Sequence, residues 1–123
     1  MDRRVEAVIE ILERNWKRGV RVPLLAREVG LSTVRLQHLF KKETGMNMRR
    51  YVTERRLAQA ATLLSNSDLR VKEVCHFVGF GDLRDFYRVF KERYGTGPAA
   101  FRKAAQTTAE VAIERTDPTN RLL

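Results

Sequence analysis

Apolar residues recur along this chain every three or four positions, with polar residues filling the gaps. That spacing predicts a series of helices, each with one buried face. Over residues 5–17, Val5, Val8, Ile9, Leu12 and Trp16 fall on one side, with Glu6, Glu10, Glu13, Arg14 and Lys17 elsewhere, and Gly19 marks the stop. Pro23 opens a second helix, where its missing N–H costs nothing. Leu24, Leu25, Ala26 and Val29 follow, and Gly30 ends it. Ser32 is suited to cap a third helix over 33–44, with Leu36, Leu39 and Phe40 as its inner stripe and Gly45 as its stop. The longest helix is expected over 48–65, with Tyr51, Leu57, Ala60, Ala61 and Leu64 on its buried side. A polar break at 65–68 precedes a short helix over 71–78. Another helix then carries Phe86, Val89 and Phe90 at i, i+3, i+4 before Gly95, and 98–103 reads as one last short turn. The expected fold is all-α, with about seven helices. The domain covers 1–103, and 104–123, rich in Ala and Thr and without aromatics, reads as a flexible tail with at most one helical segment.

The two halves of this pattern match each other. Val22, Ala26, Val29, Gly30 and Leu31 correspond to Val71, Cys75, Val78, Gly79 and Phe80 at an offset of 49. Leu36, Leu39, Phe40, Lys41, Gly45 and Tyr51 correspond to Phe86, Val89, Phe90, Lys91, Gly95 and Phe101 at an offset of 50. One extra residue therefore sits in the second turn, near Gly81 and Asp82. Matched positions are buried or turn positions. The outward ones differ: Val34, Gln37 and His38 against Arg84, Tyr87 and Arg88. Each copy, over about 22–45 and about 71–95, is a short helix, a glycine-containing turn and a second helix, the helix-turn-helix pattern. In that motif the second helix enters the major groove. The linker helix over about 48–65 would span roughly 25 Å, which could set the two copies near the ~34 Å of one DNA turn. Two unlike outward faces then predict an asymmetric site.

Charge sharpens the picture. Lys and Arg number 24 against 15 Asp and Glu, for a formal net charge of +9, and the pI is near 10.4. A small basic protein points to nucleic acid first and an acidic membrane surface second. The 43% hydrophobic content suffices for a packed core. Cys75 is the only cysteine, so no internal disulfide can form. No signal peptide is evident, and no apolar run approaches the roughly 20 residues that span a membrane. A soluble, cytoplasmic protein is expected. Cys75 and His76 invite a metal reading, but adjacent helical residues point about 100° apart and no further ligand accompanies them. No nucleophile–base pair or phosphate-cradling glycine loop is present, so no enzyme and no cofactor are expected.

The segment Val78-Gly79-Phe80, then Phe86, Arg88, Phe90 and Lys91, then Gly95, Pro98, Phe101 and Arg102, is the most specific part of a wider likeness. With Arg56, Leu57, Ala60, Leu63 and Leu64, and with Leu36, Gln37, Leu39, Phe40, Lys41 and Lys42, it resembles the DNA-binding domain of the AraC/XylS family of bacterial transcription regulators. The likeness covers residues 5–103. It implies two helix-turn-helix subdomains joined by a linker helix, and sequence-specific promoter binding that most often activates. By position it assigns base reading to Val34, Gln37 and His38 in the first unit and to Leu83, Arg84, Tyr87 and Arg88 in the second. Arg84 and Arg88 have the chemistry for a guanine edge or for a phosphate, and Gln37 that for adenine. Val34 and Leu83 can only touch a thymine methyl. Ser32, Arg35, Lys41, Lys42 and Lys91 are expected on phosphate. Arg21 and Arg70 stand where family members often carry a Ser or Thr cap, and Cys75 where alanine is usual. No effector-binding domain is seen, so a stand-alone domain or a fragment is expected. The expected partner is promoter DNA, bound as a monomer at an asymmetric operator, with RNA polymerase as a further candidate and no membrane. The alternative is a non-specific nucleic-acid-binding or protein-interaction module.

Overall fold

A computed structural model describes the backbone of residues 1–116 and side chains as far as Glu110. Among the described residues there are seven helices and no strand: α1 (Arg3–Asn15), α2 (Val22–Glu28), α3 (Thr33–Thr44), α4 (Met48–Asn66), α5 (Val71–Phe77), α6 (Leu83–Tyr94) and α7 (Pro98–Thr116). They fall into two compact units. The first comprises Met1–Ala58 with Phe77–Gly79, and the second Gln59–His76 with Phe80 and the residues after it.

In the first unit, α1, α2, α3 and the start of α4 enclose a core of Val5, Val8, Leu12, Leu25, Ala26, Leu36, Phe40 and Met48. Each fully buried side chain of this kind is worth about 1.5–3 kcal/mol. Leu36 and Phe40 are one helical turn apart and wholly buried, which points the opposite side of α3 outward. Leu24, by contrast, lies on the exposed side of α2. Trp16 is buried. The Tyr51 ring meets Phe40 edge-on at 5.7 Å, and its hydroxyl donates to Glu13 at 2.8 Å. Arg55 Nε reaches the other oxygen of the same carboxylate at 2.8 Å, so one acid clamps α4 to α1 twice. Arg55 and then Tyr51 hold the Glu13 carboxyl below its usual range against the opposing effect of burial. Burial, then the Glu13 bond, pushes the Tyr51 hydroxyl up to about 12.

The second unit repeats the plan with aromatic rings. Phe86 and Phe90 are wholly buried one turn apart on α6. Their ring centroids are 5.7 Å apart, and the run continues from Phe80 to Phe86 at 5.1 Å and from Phe90 to Phe101 of α7 at 5.3 Å. Arg102 Nε donates to the Leu64 carbonyl at 3.0 Å, fastening α7 to the end of α4.

The repeat holds in the backbone. Leu31 N–H reaches back to the Ala26 carbonyl at 2.9 Å, and Phe80 N–H to the Cys75 carbonyl at 3.1 Å, the same six-to-one bond closing both turns. Gly45 and Gly95, both left-handed, close α3 and α6 by donating to the Lys41 and Lys91 carbonyls at 2.8 Å each. Burial along α3 and α6 agrees position by position except at Arg35 and Asp85.

Several local features differ from the sequence expectation: α1 begins and ends two residues earlier, over Arg3–Asn15, and α4 runs one residue further, to Asn66. Helix α5 ends at Phe77 rather than at 78. Its start is served by Glu73, whose carboxylate accepts from Arg70 N–H at 3.0 Å; a residue three positions on performs the capping that arginine cannot. Arg21, without such a partner, leaves α2 with no side-chain cap. Helix α7 runs unbroken to Thr116, where a turn over 98–103 followed by a flexible tail with at most one helical segment was expected. Alanine, Gln106 and Glu110 favour helix, and the Thr107 and Thr108 hydroxyls bond back to the Lys103 and Ala104 carbonyls at 2.9 and 3.0 Å. Residues 117–123 of the expected tail lie outside the described residues.

Gly79 has φ +99, and a Cβ there would stand 2.3 Å from the Lys17 carbonyl oxygen. Gly45 has φ +81 with open space around it. Gly45→Ala should therefore cost about 1 kcal/mol, from backbone conformation alone. Gly79→Ala should cost at least about 2 kcal/mol more, since backbone must also move; urea unfolding of the two variants checks the difference. Tyr51 generates a pH prediction. Its folded-state value lies above the ordinary tyrosine value of 10.0, so the unfolded chain loses this proton first. Stability present below pH 10 is lost as pH rises toward about 12. Tyr51→Phe should show a smaller alkaline loss of urea midpoint than the native chain over that window.

Candidate nucleic-acid interface

The inner stripe of α3 leaves Val34, Arg35, Gln37, His38, Lys41 and Lys42 exposed on its outer side. Val34 is 63% exposed, a large value for a branched apolar residue on a rigid helix. Ser32 Oγ accepts from Arg35 N–H at 3.2 Å, capping the helix and orienting its first turn. A cleft of about 420 Å³ runs along one side of α3, bringing Val34, Gln37, His38 and Lys41 together with Val22, Asn47, Met48 and Arg49. A second groove, of about 350 Å³, runs along the other side, where Arg35, His38 and Lys42 meet Arg4. Asn47 caps α4 by accepting from Arg50 N–H at 2.8 Å.

Arg49 and Arg4 are additions to the sequence-derived set. Arg49 is brought back beside α3 by the Gly45 turn, a signal that was present in the position of the glycine. Arg4 comes from α1 and is tied to Asp2 at 3.0 Å. That pairing holds the Asp2 carboxyl down at about 2, chiefly through the Arg4 side-chain hydrogen bond.

On α6, Asp82 accepts from Arg84 N–H at 2.8 Å and starts the helix. Arg84, Tyr87, Arg88 and Lys91 are exposed, while Leu83 is half-buried. Arg84 has no side-chain partner among the described residues, whereas Arg88 is engaged by Asp85 and by Glu92, the latter at 3.4 Å. Asp85, then the charge of Glu92, raises the Arg88 guanidinium further above its usual range. Thus each unit gathers its expected base-facing residues on one helix surface, but one of the two arginines of α6 is held by carboxylates.

Charge is unevenly divided. The first unit carries fourteen Lys and Arg against seven Asp and Glu, and the second ten against eight, counting all residues of each. Net charges of +7 and +2 follow. Arg49 and Arg50, at the start of α4, correspond at the same offset to Ala99 and Ala100 at the start of α7. Cys75 is buried, and burial raises its thiol above the usual range; its Sγ lies 3.8 Å from the Phe80 carbonyl oxygen. Among the described residues no group of three His, Cys, Asp or Glu side chains is placed to hold a metal, and no helix is long and apolar enough to cross a membrane.

A paired set of glycine-closed helix-turn-helix units with basic outer faces defines a class, that of nucleic-acid-binding regulators. Comparisons with known proteins agree. The family described as "Helix-turn-helix domain" matches residues 25–104. "Probable transcription factor PqrA" of Proteus vulgaris is 33% identical over 101 residues, covering 80% of this chain and 83% of that protein. "HTH-type transcriptional activator RhaS" of Yersinia pestis is 33% identical over 99 residues, covering 80% of this chain and 36% of that protein. The chain spans a similar share of several other curated relatives, little more than a third of their length. The crystal structure of the DNA-binding domain of AdpA, a global transcriptional factor in complex with a target DNA, superposes with a TM-score of 0.78 at 26% identity, covering 85% of this chain and 94% of that one. The chain belongs to the AraC/XylS family of helix-turn-helix transcription regulators.

Proposed function

We propose that this chain binds promoter DNA sequence-specifically and activates transcription, with α3 and α6 each reading one of two adjacent major-groove segments. The observation that carries this reading is the repeat itself. Helices α3 and α6 share their burial pattern and caps yet differ at nearly every outward residue. Val34, Gln37 and His38 read bases in one segment, and Leu83, Arg84, Tyr87 and Arg88 in the other. Leu83 is the least exposed of these and contributes by contact with a thymine methyl. Ser32, Arg35, Lys41, Lys42 and Lys91 contact phosphate, joined by Arg49. Two unlike readers in one chain suit an asymmetric operator and a monomer, since a palindrome mirrors a two-fold dimer. The activator role is supported by the kinship with RhaS, named an activator, and it implies RNA polymerase as a protein partner. DNA as the ligand is supported by the AdpA complex. Nothing in these relatives' descriptions is enzymatic.

Selection of bound duplexes from a random pool, followed by a gel-shift against random-sequence competitor, tests the reading. An enriched asymmetric sequence that resists competitor is expected. Competition to completion on every selected duplex would instead leave a non-specific binder or protein-interaction module. Within the selected site, Arg84→Ala should relax preference at one position by about 1–3 kcal/mol. Lys42→Ala should weaken all duplexes alike and lower the salt slope by about 0.9. Binding isotherms at two salt concentrations separate the two behaviours.

A further inference from the structure

Superimposing the two halves of the repeat by their offset of 50 pairs His38 with Arg88, Arg35 with Asp85, and Lys42 with Glu92. On α3 the outward position is therefore flanked, one turn before and one turn after, by two cations. On α6 the same flanks are two carboxylates, and both touch the residue between them. Arg88 Nη2 contacts Asp85 Oδ1, and Nη1 lies 3.4 Å from Glu92 Oε1. The buried positions are kept while charge is reversed at both flanks of this one residue. Such carboxylates also weaken the attraction of a DNA-binding helix for its ligand, and they account for part of the low charge of the second unit.

We infer that Asp85 and Glu92 are positioning residues that determine the specificity of α6, by holding the Arg88 guanidinium for a guanine edge and disfavouring its capture by phosphate. The inference rests on the base-reading role proposed for α6. Its chemistry follows from the hydrogens available. An arginine has five N–H donors, and a carboxylate on each terminal nitrogen leaves one hydrogen on each, together with Nε–H. Those can still reach the neutral N7 and O6 acceptors of guanine. A backbone phosphate carries one negative charge, shared by its two free oxygens, and would have to approach within a few ångströms of two others, well inside the ~10 Å screening length at 0.1 M salt. The flanking acids thus penalise the non-specific contact more than the specific one. Arg84, on the same helix, has no such flank and serves either kind of acceptor.

The test uses the full chain with the selected duplex and a random duplex of equal length, and reads the ratio of the two dissociation constants. Asp85→Asn should tighten binding to random DNA by about two- to fivefold, the scale of an exposed ion pair. The selected site should change less, so the ratio falls. Asp85→Glu should preserve the ratio. In an Arg88→Ala background, Asp85→Asn should leave the ratio unchanged, because nothing remains to be positioned. Asp85 also sits in the first turn of α6, where a carboxylate favours the helix. Glu92→Gln provides the control, as Glu92 lies in the last turn where its charge brings no such benefit; it should lower the ratio in the same direction. An unchanged ratio in both single variants overturns the inference. So does an equal fall with and without Arg88, which would make the carboxylates direct readers, for instance of a cytosine amino group. A native chain that prefers no duplex overturns this inference together with the promoter-binding reading, whereas the preceding outcomes leave that reading standing.

Discussion

Each half of this protein depends on one helix satisfying two opposite demands. Leu36 and Phe40, and in the second unit Phe86 and Phe90, must be withdrawn completely from water. Gln37 and His38, and in the second unit Tyr87 and Arg88, must remain in it. A helix meets both because positions four apart share a face while those one or two apart do not. Burial of the inner pair fixes rotation about the helix axis, and that rotation decides which side chains are presented. Packing energy and presentation are therefore the same constraint. The left-handed glycines that end these helices, and the six-to-one bonds that close the turns before them, serve the same end by fixing where each helix starts and stops.

Much of this was legible in the chain because the forces that set it are local. Stripe spacing, the Ser32 cap and the stops at Gly45 and Gly95 are short-range signals, and the bounds of α3 and the seven-helix order followed from them. Where the sequence pattern fell short, the partner was distant or the reach long. Glu13 looked like a solvent-facing acid on α1, but it receives Tyr51 and Arg55 from α4, about forty residues away. Arg49 carried no motif of its own and entered the interface only through the turn that precedes it. Helix α7 continued beyond the expected turn because a run rich in alanine and threonine, with Val111 and Ile113 as its only large apolar residues, shows no stripe, although its propensity for helix is good. Periodicity placed Val34, Gln37, His38, Arg84, Tyr87 and Arg88 on the exposed sides of α3 and α6, whereas the engagement of Arg88 depended on side-chain conformations that periodicity does not carry.

The two units solve the same packing problem with different means. The first uses aliphatic side chains and a shared carboxylate; the second uses a run of touching rings and an arginine that fastens to carbonyl oxygens. Their outer faces diverge further, toward +7 in one and +2 in the other. A polyanion attracts the first strongly and the second weakly, so long-range capture and short-range discrimination need not be performed by the same residues. On the proposed reading, this separation lets affinity be adjusted without altering what is discriminated.

The offset repeat has a consequence for how such proteins change over time. Because buried positions coincide while the outward ones are unconstrained by packing, substitutions at Val34, Gln37 or His38 leave the second half untouched, and those at Arg84, Tyr87 or Arg88 leave the first untouched. On the proposed reading, a lineage can retune one half while the other keeps it anchored to its old targets. Innovation then proceeds through intermediates that still function, and the number of reachable targets grows as the product of the two alphabets rather than their sum.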